Sequence, residues 1–521
     1  MRGRFRRPEP ATLLAWGAGF AGLIAIVSAL TPEMASRVDI VRGVLPPGVP
    51  EAARVLSLSF GFALVWLWRG LRRRKRRAWQ LAVALVLASA WAHLAKGLDV
   101  EEASVSFVLL VALWYWRREF TAPGDPALIK PLLRNAAGLG LCVFILRLVD
   151  GHDRLGDALT VLAGALAARV IYLWLKPLAG RVGHTRAERA LAEQLVQAHG
   201  TDSLAYFKLR RDKSWFFSPR GRAFLGYRVE GGTAVISGDP VGPAEDVPAL
   251  LDAFRAFARA QAWRVVALGV SAESVQRLRD EGFRSLYIGD EAIVRPDTFS
   301  LDGRAIRKVR QSVTRLERAG YSVRILRVGE ADTALREEVA RVSEDWLGRQ
   351  PERGFAMAMD TVFGYPDSLL AIAEDADGHL GGYLHWVPAP ASGGWSLAAM
   401  RRGKGTPNGL MEFLIVESIA WARERGASEL SLNFAVFGDV LRSGSTAAPW
   451  KRVFRKVLLR LDRLFQLERL NGFNRKFHPE WRPRYLCFES WIELPVVGLA
   501  CLRAESLLTP PAPWGKRTEA A

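Results

Sequence analysis

The chain has 521 residues, 50% of them hydrophobic and 24% charged, with a formal net charge of +19. This length exceeds one compact domain, and the basic balance favours polyanionic partners such as nucleic acid or anionic lipid. The three cysteines, Cys142, Cys487 and Cys501, are too widely spaced for a disulfide framework or a zinc site, and no histidine spacing indicates a metal site.

Six apolar stretches occupy the first third of the chain. They cover residues 11–30, 53–68, 78–96, 103–116, 136–149 and 157–175. A membrane-spanning helix needs ~20 apolar residues. Five further stretches follow the first, so we interpret it as an uncleaved span and not as a signal peptide. The sequence therefore predicts a transmembrane domain of about six helices over residues 1–178.

Basic residues cluster in alternate connections of this region. Arg2, Arg4, Arg6 and Arg7 precede the first stretch, and the sequence LRRRKRRAW follows the second. By the positive-inside rule, both ends of the domain and everything after residue 180 are expected in the cytoplasm. We interpret LRRRKRRAW as an orientation signal near lipid head groups, with a specific binding role as the alternative.

From about residue 190 the pattern alternates between short strands and helices. AYFKL (205–209) and WRVVALGV (263–270) are predicted strands, and residues 376–378 are the predicted turn of a hairpin. Long helices are predicted over 408–426 and 451–470. We expect an α/β region with a first unit at 190–300, a basic connecting helix at 301–320, a second unit at 321–508 and a disordered tail at 509–521.

The predicted connecting helix has one apolar stripe and an unusual concentration of cations. Ile306, Val309, Val313 and Leu316 follow helical spacing and form the stripe. The remaining faces carry Arg304, Arg307, Lys308, Arg310, Arg315 and Arg318. An ordinary solvated face mixes both signs of charge. We therefore favour polyanion binding over a plain surface role, with nucleic-acid or lipid phosphates as the partners.

Four other stretches contain residues suited to chemistry. They are ISGDPVGP (236–243), RRGKGTPNGL (401–410), SLNFAVFG (431–438) and NRKFHPEWRPRY (474–485). The glycines of RRGKGTPNGL precede a predicted helix, so backbone N–H groups there can bind an anion or a carbonyl oxygen. The spacing is not that of a P-loop, and no nucleophile elbow is present.

In this order, GDPVG, the basic helix, RGFAMAMD (353–360), MRR (400–402), PNGLMEFLIV (407–416), SLNFAVF and NRKFHPEWRPRY resemble the bacterial phosphatidylglycerol aminoacyltransferases. These are lysyl- and alanyl-phosphatidylglycerol synthases of the multiple-peptide-resistance type. The resemblance covers roughly residues 195–495 and is closest to the actinobacterial branch. It implies a polytopic membrane domain followed by two tandem acetyltransferase-like (GNAT) folds.

The resemblance also implies an activity. An aminoacyl group moves from aminoacyl-tRNA to a head-group hydroxyl of phosphatidylglycerol or a related anionic lipid, which changes membrane charge and resistance to cationic peptides. The implied partners are aminoacyl-tRNA, the lipid and the membrane, and a homo-oligomer is left open. No cofactor and no metal is expected, because one ester is exchanged for another. Six apolar stretches are fewer than the large family members have, so lipid flipping is not expected.

By resemblance, particular residues receive roles. The catalytic candidates are Arg401, Glu412, Asn433 and Lys476. The substrate-binding candidates are Asn408, Arg484, Tyr485, Asp239 and Lys213, and the six cations of the basic helix become the tRNA-binding set. Glu412 is a candidate proton acceptor or partner of the α-amine, but an acid in a first helical turn is also favoured by the helix dipole. Structural roles stay open for Asp239 and Lys213.

One departure from the family pattern leaves room for other functions. The family motif Asp-x-Met-Arg has an acid where this chain has Ala398 in SLAAMRR. One rival is a GNAT-type acyltransferase that uses an acyl-CoA thioester, although RRGKGTPNG is a poor match to a pyrophosphate loop. The other rival is a non-catalytic membrane tether that binds RNA or acidic lipid.

Overall fold

The computed structural model describes residues 9–31, 49–97, 100–146, 154–176, 180, 182–348, 350, 352–434 and 472–509. Two compact units make up the chain. One comprises residues 1–179 with 256–263, and the other comprises residues 180–255 with 264–521. The helix predicted at 451–470, and all of the predicted tail after residue 509, lie outside the described residues.

Six helices overlap the six predicted apolar stretches. They are α1 (Pro10–Leu30), α2 (Val49–Arg72), α3 (Arg76–Gly97), α4 (Val100–Tyr115), α5 (Ile129–Leu146) and α6 (Arg154–Leu175). In the described part of the chain, four segments are long and apolar enough to cross a membrane: Pro10–Leu30, Ala53–Arg72, Pro126–Leu146 and Gly156–Leu175. α4, at 16 residues, is shorter than the ~20 residues that a bilayer requires.

Glycines allow α1 and α2 to pack closely. A Cβ added to Gly22 would lie 2.7 Å from the carbonyl oxygen of Gly61, and one added to Gly61 would lie 2.7 Å from that of Gly22. Ala15, Ala18 and Leu64 are buried in the same cluster. Small residues at a crossing let two helix backbones approach, which is how apolar helices commonly associate.

Past α6, the described residues form seven helices and eleven strands. The helices are α7 (Arg186–His199), α8 (Val247–Ala260), α9 (Ala272–Asp280), α10 (Arg307–Arg318), α11 (Thr333–Leu347), α12 (Leu410–Glu424) and α13 (Leu494–Ala504). The strands are β1 (Ser214–Phe217), β2 (Phe224–Glu230), β3 (Thr233–Ser237), β4 (Arg264–Ser271), β5 (Arg284–Val294), β6 (Ser322–Arg327), β7 (Leu369–Glu374), β8 (Leu380–Ala389), β9 (Gly394–Arg402), β10 (Leu430–Phe434) and β11 (Glu480–Phe488). Apolar helices followed by an α/β region is therefore the observed order, as predicted.

One local prediction is wrong. AYFKL was expected to be a strand, but Tyr206–Leu209 forms a 3₁₀ turn whose four residues are all buried. A short run that is buried on every side has no alternation that distinguishes a strand from a helix. The hairpin between β7 and β8 is confirmed, and Gly378 at its turn has φ +81°, a value that favours glycine.

All eleven strands belong to one sheet, in the order β1-β2-β3-β4-β11-β5-β10-β9-β8-β7-β6. Its neighbours are antiparallel except for two parallel pairs, β3–β4 and β9–β10. β11 lies between β4 and β5, so a strand from the end of the chain completes the part of the sheet that begins with β1. The boundaries predicted at 190–300 and 321–508 stay a prediction.

Helices cover both faces of the β6–β10 part of the sheet. α10 and α12 pack on one face, where the predicted apolar stripe of α10 is buried against α12 and β8. α11 packs on the opposite face, where Val339 and Val342 meet Ile372 and Tyr383. The stripe prediction is confirmed, and the cations of α10 are left on its outer surface.

Candidate functional site

β9 and β10 separate soon after they meet. The parallel pair is joined only at Trp395 with Leu430 and at Ser396 with Ser431, and the register of β10 against β5 then shifts. Asn433 follows in a left-handed conformation, with φ +71°. Such a conformation costs free energy in any residue other than glycine and is least unfavourable in Asn and Asp. The strand separation is therefore accompanied by a strained asparagine.

The Asn433 side chain bridges this separation. Its Nδ2 donates to the carbonyl oxygens of Leu397, on β9, and Met357, each at 2.7 Å. Two carbonyl acceptors require the NH₂ group at that position, so the orientation of the amide is determined. Asn433 Oδ1 is buried and has no hydrogen-bond partner among the described residues. The site therefore holds an acceptor that is available to a donor group.

Arg401 lies near the end of β9 and is buried. Its guanidinium forms an ion pair with the half-exposed Glu352. Burial opposes its charge, but Tyr383 and Glu352 together keep the pKa of Arg401 above its usual value. The Tyr383 hydroxyl lies 2.6 Å from Ser343 Oγ of α11. This is a charged, positioned cation, suited to binding a phosphate or a developing oxyanion.

His385 lies on β8 in the same neighbourhood. Burial, with a smaller contribution from Arg401, lowers the pKa of His385 to about 3. Its Nε2 lies 2.8 Å from Ser368 Oγ. A neutral, hydrogen-bonded imidazole of this kind is part of the packing beneath Arg401 and is a poor proton acceptor at neutral pH.

Glu412 and Lys476 form an ion pair at the start of α12. Lys476 Nζ lies 2.8 Å from Glu412 Oε1, and the lysine side chain is more exposed than that of the acid. Glu412 occupies the first turn of α12, and Lys476 occupies the 3₁₀ turn Arg475–Phe477. The pair offers one carboxylate and one ammonium, each able to bind a second partner on its free side.

The sheet divides the predicted catalytic set. Arg401 pairs across strands with Tyr383, whose ring packs on the α11 face. α12, which carries Glu412, packs on the opposite face, where Met400 contacts it. Successive residues of a strand point to opposite faces, so this assignment follows from the register. The structure brings Glu412 to Lys476, but no described contact joins Arg401 to either of them.

The basic helix α10 is attached to the loop between β9 and α12. Arg315 donates to the carbonyl oxygen of Asn408. Gly409 has φ +96°, and a Cβ there would lie 2.7 Å from Ser312. A glycine is therefore required where α10 approaches this loop.

The six cations predicted for the basic helix fall into two groups, although α10 begins only at Arg307, so Arg304 lies in the segment before it. Arg310 donates to the carbonyl oxygens of Leu301 and Gly303, so Arg310 and Arg315 bind the chain's own backbone. Four others are exposed: Arg304, Arg307, Lys308 and Arg318. Within the described ranges these four side chains make no ion pair, which leaves them available to a polyanion.

Arg484 lies in the interior of the sheet and not on the wall of a cleft. Its guanidinium contacts Glu291 Oε2 at 3.0 Å, Asp202 Oδ1 at 2.6 Å and Ser203 Oγ at 2.9 Å. Burial would raise the pKa of Asp202, but Arg484 outweighs it and holds that pKa below its usual value. Arg484 is thus a buried cation matched by two carboxylates, an arrangement typical of a structural network.

The other candidates of this region also have internal partners. Lys213 Nζ donates to Phe207 O at 2.6 Å and to Ser237 Oγ at 2.8 Å, and burial holds its pKa well below the usual value. Asp239 accepts from the backbone N–H of Ser271 at 2.9 Å and from its hydroxyl at 2.6 Å. Burial, followed by the charge of Asp202, raises the pKa of Asp239.

Tyr485 and Ala398 complete the predicted positions. The Tyr485 ring is half-buried and stands edge-on to Tyr287, with centroids 6.1 Å apart. Ala398 is the extra residue of a bulge in β9, because Leu397 opposes Trp386 while Ala399 opposes His385. Its methyl group packs in the cluster that contains Phe355. An acid at this position would face an apolar core.

Several residues that contact the predicted site residues could not be recognised from the sequence. Glu352 and Tyr383 hold Arg401 but match no quoted motif, and Met357 contributes only its backbone oxygen to Asn433. The motif RGFAMAMD also makes its contacts through the backbone. The amides of Phe355 and Ala356 donate to the Glu505 carboxylate at 2.7 and 3.1 Å. Such contacts depend on the fold and not on side-chain identity.

One group of side chains has the spacing for a metal ion. Within the described residues, Asp375, Asp377 and His379 bring their ligand atoms close together at the turn between β7 and β8. Asp375 accepts the backbone N–H groups of Asp377 at 3.0 Å and His379 at 2.9 Å. This is the hydrogen bonding of an ordinary Asx turn, which accounts for the cluster without an ion.

Comparison with known proteins supports the resemblance drawn from the motifs. Residues 193–488 match the family model described as phosphatidylglycerol lysyltransferase, C-terminal. The lysylphosphatidylglycerol biosynthesis bifunctional protein LysX of Mycolicibacterium gilvum (strain PYR-GCK) is 32% identical and is matched over 95% of this chain and 49% of its own length. The protein of the same name from Rhodococcus jostii (strain RHA1) is 39% identical over 67% of this chain and 31% of its own length. The chain thus spans about half the length, or less, of the curated relatives it matches.

A solved structure gives the same result for the fold. The structure of L-PGS from Bacillus licheniformis superposes with a TM-score of 0.56 at 25% identity, and covers 62% of this chain and 97% of that one. The C-terminal domain of a putative lysylphosphatidylglycerol synthetase from Agrobacterium fabrum has a TM-score of 0.53 at 23% identity, over 63% of this chain and all of that one. On this evidence the chain belongs to the phosphatidylglycerol lysyltransferase family, whose C-terminal region its residues 193–488 match.

Proposed function

We propose that the chain transfers an aminoacyl group from aminoacyl-tRNA to the head-group hydroxyl of phosphatidylglycerol or a related anionic lipid. The observation that carries this proposal is the contact between α10 and the site loop. Arg315 binds the Asn408 carbonyl, and Ser312 lies against Gly409, both in the segment between Arg401 and Glu412. A surface suited to RNA phosphates is thereby joined directly to the loop that connects the catalytic candidates.

The donor RNA binds on the α10 side of the sheet. The exposed cations there are Arg304, Arg307, Lys308, Arg315 and Arg318, and Arg310 is half-buried. α12 packs on the same face, so an RNA held on α10 has its aminoacylated end within reach of the Glu412–Lys476 pair. Glu412 pairs there with the α-ammonium of the aminoacyl group.

The acceptor lipid binds toward the α11 side. Arg401 is charged and positioned by Glu352, and a guanidinium matches the geometry of a lipid phosphate. Asn433 lies between the two sides, in the gap where β9 and β10 have separated, with its Oδ1 available. It accepts a hydrogen bond from the lipid hydroxyl or the α-amine and so aligns the two reactants. Of the other substrate-binding candidates, Asn408 lies on the loop beside this site, whereas Arg484, Asp239 and Lys213 have internal partners and are given structural roles.

The reaction exchanges one ester for another. The lipid hydroxyl oxygen attacks the aminoacyl carbonyl carbon and loses its proton. The ester bond to the tRNA ribose breaks, and the released ribose oxygen takes up a proton. Lys476 is the cation available to the negative charge that develops on the carbonyl oxygen, and a fixed donor of this kind typically contributes about 10²–10³-fold to rate. One ester bond forms as another breaks, and one proton is lost as another is gained. The reaction therefore needs no redox partner and no nucleotide.

We further propose the arrangement around this reaction. About six helices span the bilayer, and the region after residue 180 faces the cytoplasm, where aminoacyl-tRNA is present. The α/β region consists of two tandem acetyltransferase-like folds. The sheet supports this division, because antiparallel strands lead to a parallel pair twice, at β3–β4 and at β9–β10. Reactivity of single engineered cysteines with an impermeant reagent in whole cells tests the orientation.

The transfer is tested with the purified full chain in phosphatidylglycerol liposomes. Separate reactions receive tRNA charged with each amino acid, acyl-CoA, or charged tRNA pretreated with RNase, and lipids are analysed by mass spectrometry. We expect an aminoacyl lipid with at least one charged tRNA and none after RNase. Absence of product for every amino acid contradicts the proposal, and product from acyl-CoA alone favours the acyltransferase alternative.

A further inference from the structure

The last helix, α13, has two apolar faces, of which only one is buried. Val497, Ala500, Cys501 and Ala504 pack inward, where α13 contacts β2, β3 and β4. Ile492, in the 3₁₀ turn Trp491–Glu493 that leads into the helix, is 78% exposed. Val496 and Leu499 are 37% and 40% exposed, and Trp491 beside them is 52% exposed.

These four residues form one surface, which we call the α13 stripe. Val496 and Leu499 are spaced by three residues and share one side of the helix, and Ile492 is exposed in the turn just before it. Trp491 is anchored by an edge-on contact with Phe488, at a centroid distance of 4.9 Å. A row of exposed apolar side chains that ends in a tryptophan is unusual on a soluble surface and normally marks a contact site.

The charges around the α13 stripe suit an anionic surface. Glu493 forms an ion pair with Arg264 at 3.5 Å, and Glu489 forms one with Arg255 at 3.3 Å, so the nearby acids are neutralised. Arg503 follows Leu499 by one helical turn and is exposed. Aliphatic residues and tryptophan next to arginine match the interfacial layer of a bilayer that contains anionic lipid.

The covalent chain also keeps this region near a membrane. The last candidate span ends at Leu175 and α7 begins at Arg186. Residues 176–185 reach no farther than about 35 Å when fully extended. A chain that crosses the bilayer at that span therefore holds the α/β region close to the lipid surface, where the ordering cost of a further contact is small.

We propose that the α13 stripe is a membrane-contact surface, which inserts into the interfacial layer of an anionic bilayer and docks the α/β region on it. Trp491, Ile492, Val496 and Leu499 enter the boundary between head groups and acyl chains, and Arg503 binds lipid phosphate. The contact does not depend on a tRNA donor or on the transfer reaction.

The test measures lipid contact directly in the full chain. Ile492→Cys is labelled with an environment-sensitive fluorophore and reconstituted into phosphatidylglycerol-containing liposomes, with or without lipids that carry a nitroxide on the acyl chain. The three native cysteines are buried, so selective labelling is feasible. The matched control is Glu273→Cys, exposed on α9. No aminoacyl group is present, so failure here is distinct from failure of the proposed reaction.

We expect blue-shifted emission at position 492 and loss of about half its intensity to the nitroxide lipids, with little change at position 273. Equal, weak quenching at both positions overturns the proposal. A blue shift at 492 without quenching also overturns it, and indicates that protein, such as a second copy of the chain, covers the stripe. Replacing the anionic lipid with a zwitterionic one is expected to weaken the quenching at position 492. Undiminished quenching would show that Arg503 does not contribute to the contact through the charge of anionic lipid.

Discussion

β3 and β4 run parallel over five residue pairs, from Thr233 with Arg264 to Ser237 with Leu268, whereas β9 and β10 are paired at only two positions. The contact between these two strands continues past β3, since Gly238 N–H donates to Leu268 O at 2.8 Å and Asp239 then binds Ser271. We call β3–β4 the closed pair and β9–β10 the separated pair. Past Ser431 the backbone of β10 turns away from β9, and the amide of Asn433 makes the bridge to Leu397.

The difference between the two strand pairs corresponds to a difference between charged and polar residues that stabilise the fold and those that are candidates for function. Beside the closed pair, Arg484 is matched by Asp202 and Glu291 in the interior, so its charge is fully used within the protein. Beside the separated pair, Asn433 retains an unbonded oxygen, and Lys476 is partly exposed. Polar residues near the two parallel pairs therefore serve opposite purposes, depending on whether the two strands stay paired.

The largest expected effect is on stability, at the closed pair. Arg484→Met leaves Asp202 and Glu291 buried without their cation, and breaking such a network costs about 3–5 kcal/mol. Denaturant unfolding of the full chain in detergent, followed by fluorescence, measures this loss. The control is Arg401→Met, which frees the half-exposed Glu352 and is expected to cost clearly less. Equal losses in the two variants would contradict the assignment of Arg484 to structure.

At the separated pair the expected effect is on rate. Asn433→Gly relieves the left-handed backbone but removes the amide, so the fold is retained while aminoacyl transfer falls about 10²-fold. Single-turnover kinetics with charged tRNA measure the rate. Ser506→Gly, at another left-handed position with φ +58°, is the control for the backbone change. Full activity in Asn433→Gly would remove Asn433 from the site.

A third prediction concerns acid sensitivity beneath Arg401. The folded pKa of His385, about 3, lies below the value near 6.5 of an unfolded histidine, so the unfolded state binds more protons between these values. Its contribution to stability is complete above pH 6.5 and falls as pH drops toward 3, by about 2 kcal/mol at pH 5. In His385→Gln this part of the loss between pH 7 and pH 5 should disappear. His379→Gln, at an exposed histidine, should keep the full loss of stability between pH 7 and pH 5. The same pH profile of unfolding in the native chain and in both variants would exclude His385 as the cause.

The smallest expected effect is electrostatic. Arg307→Gln with Lys308→Gln removes two exposed cations from α10, so tRNA binds more weakly and the slope of log K against log salt becomes shallower by roughly 1–2. Filter binding over a range of salt concentrations measures the slope. Arg341→Gln removes an exposed cation of α11 and should leave the slope unchanged. An unchanged slope in the double variant would show that tRNA does not bind at α10.

Sequence reasoning succeeded where periodicity determines structure. The apolar stripe of α10, the hairpin between β7 and β8, and the helix of α12 could all be predicted, because burial of one face imposes a repeat. It failed for Tyr206–Leu209, which is buried all round. The division between Arg484, in the interior, and Lys476, at the surface, depends on which strands pair. β11 pairs with β4 and β5, which lie far earlier in the chain, and no local pattern reveals this.

The most direct test of the account is mass spectrometry of lipids from one host that carries the native chain, the Arg401→Met variant or no copy. We predict an aminoacyl derivative of phosphatidylglycerol with the native chain, and its absence or near absence in the other two. Identical lipid profiles in all three, with the native chain present in the membrane, would contradict the proposed transfer.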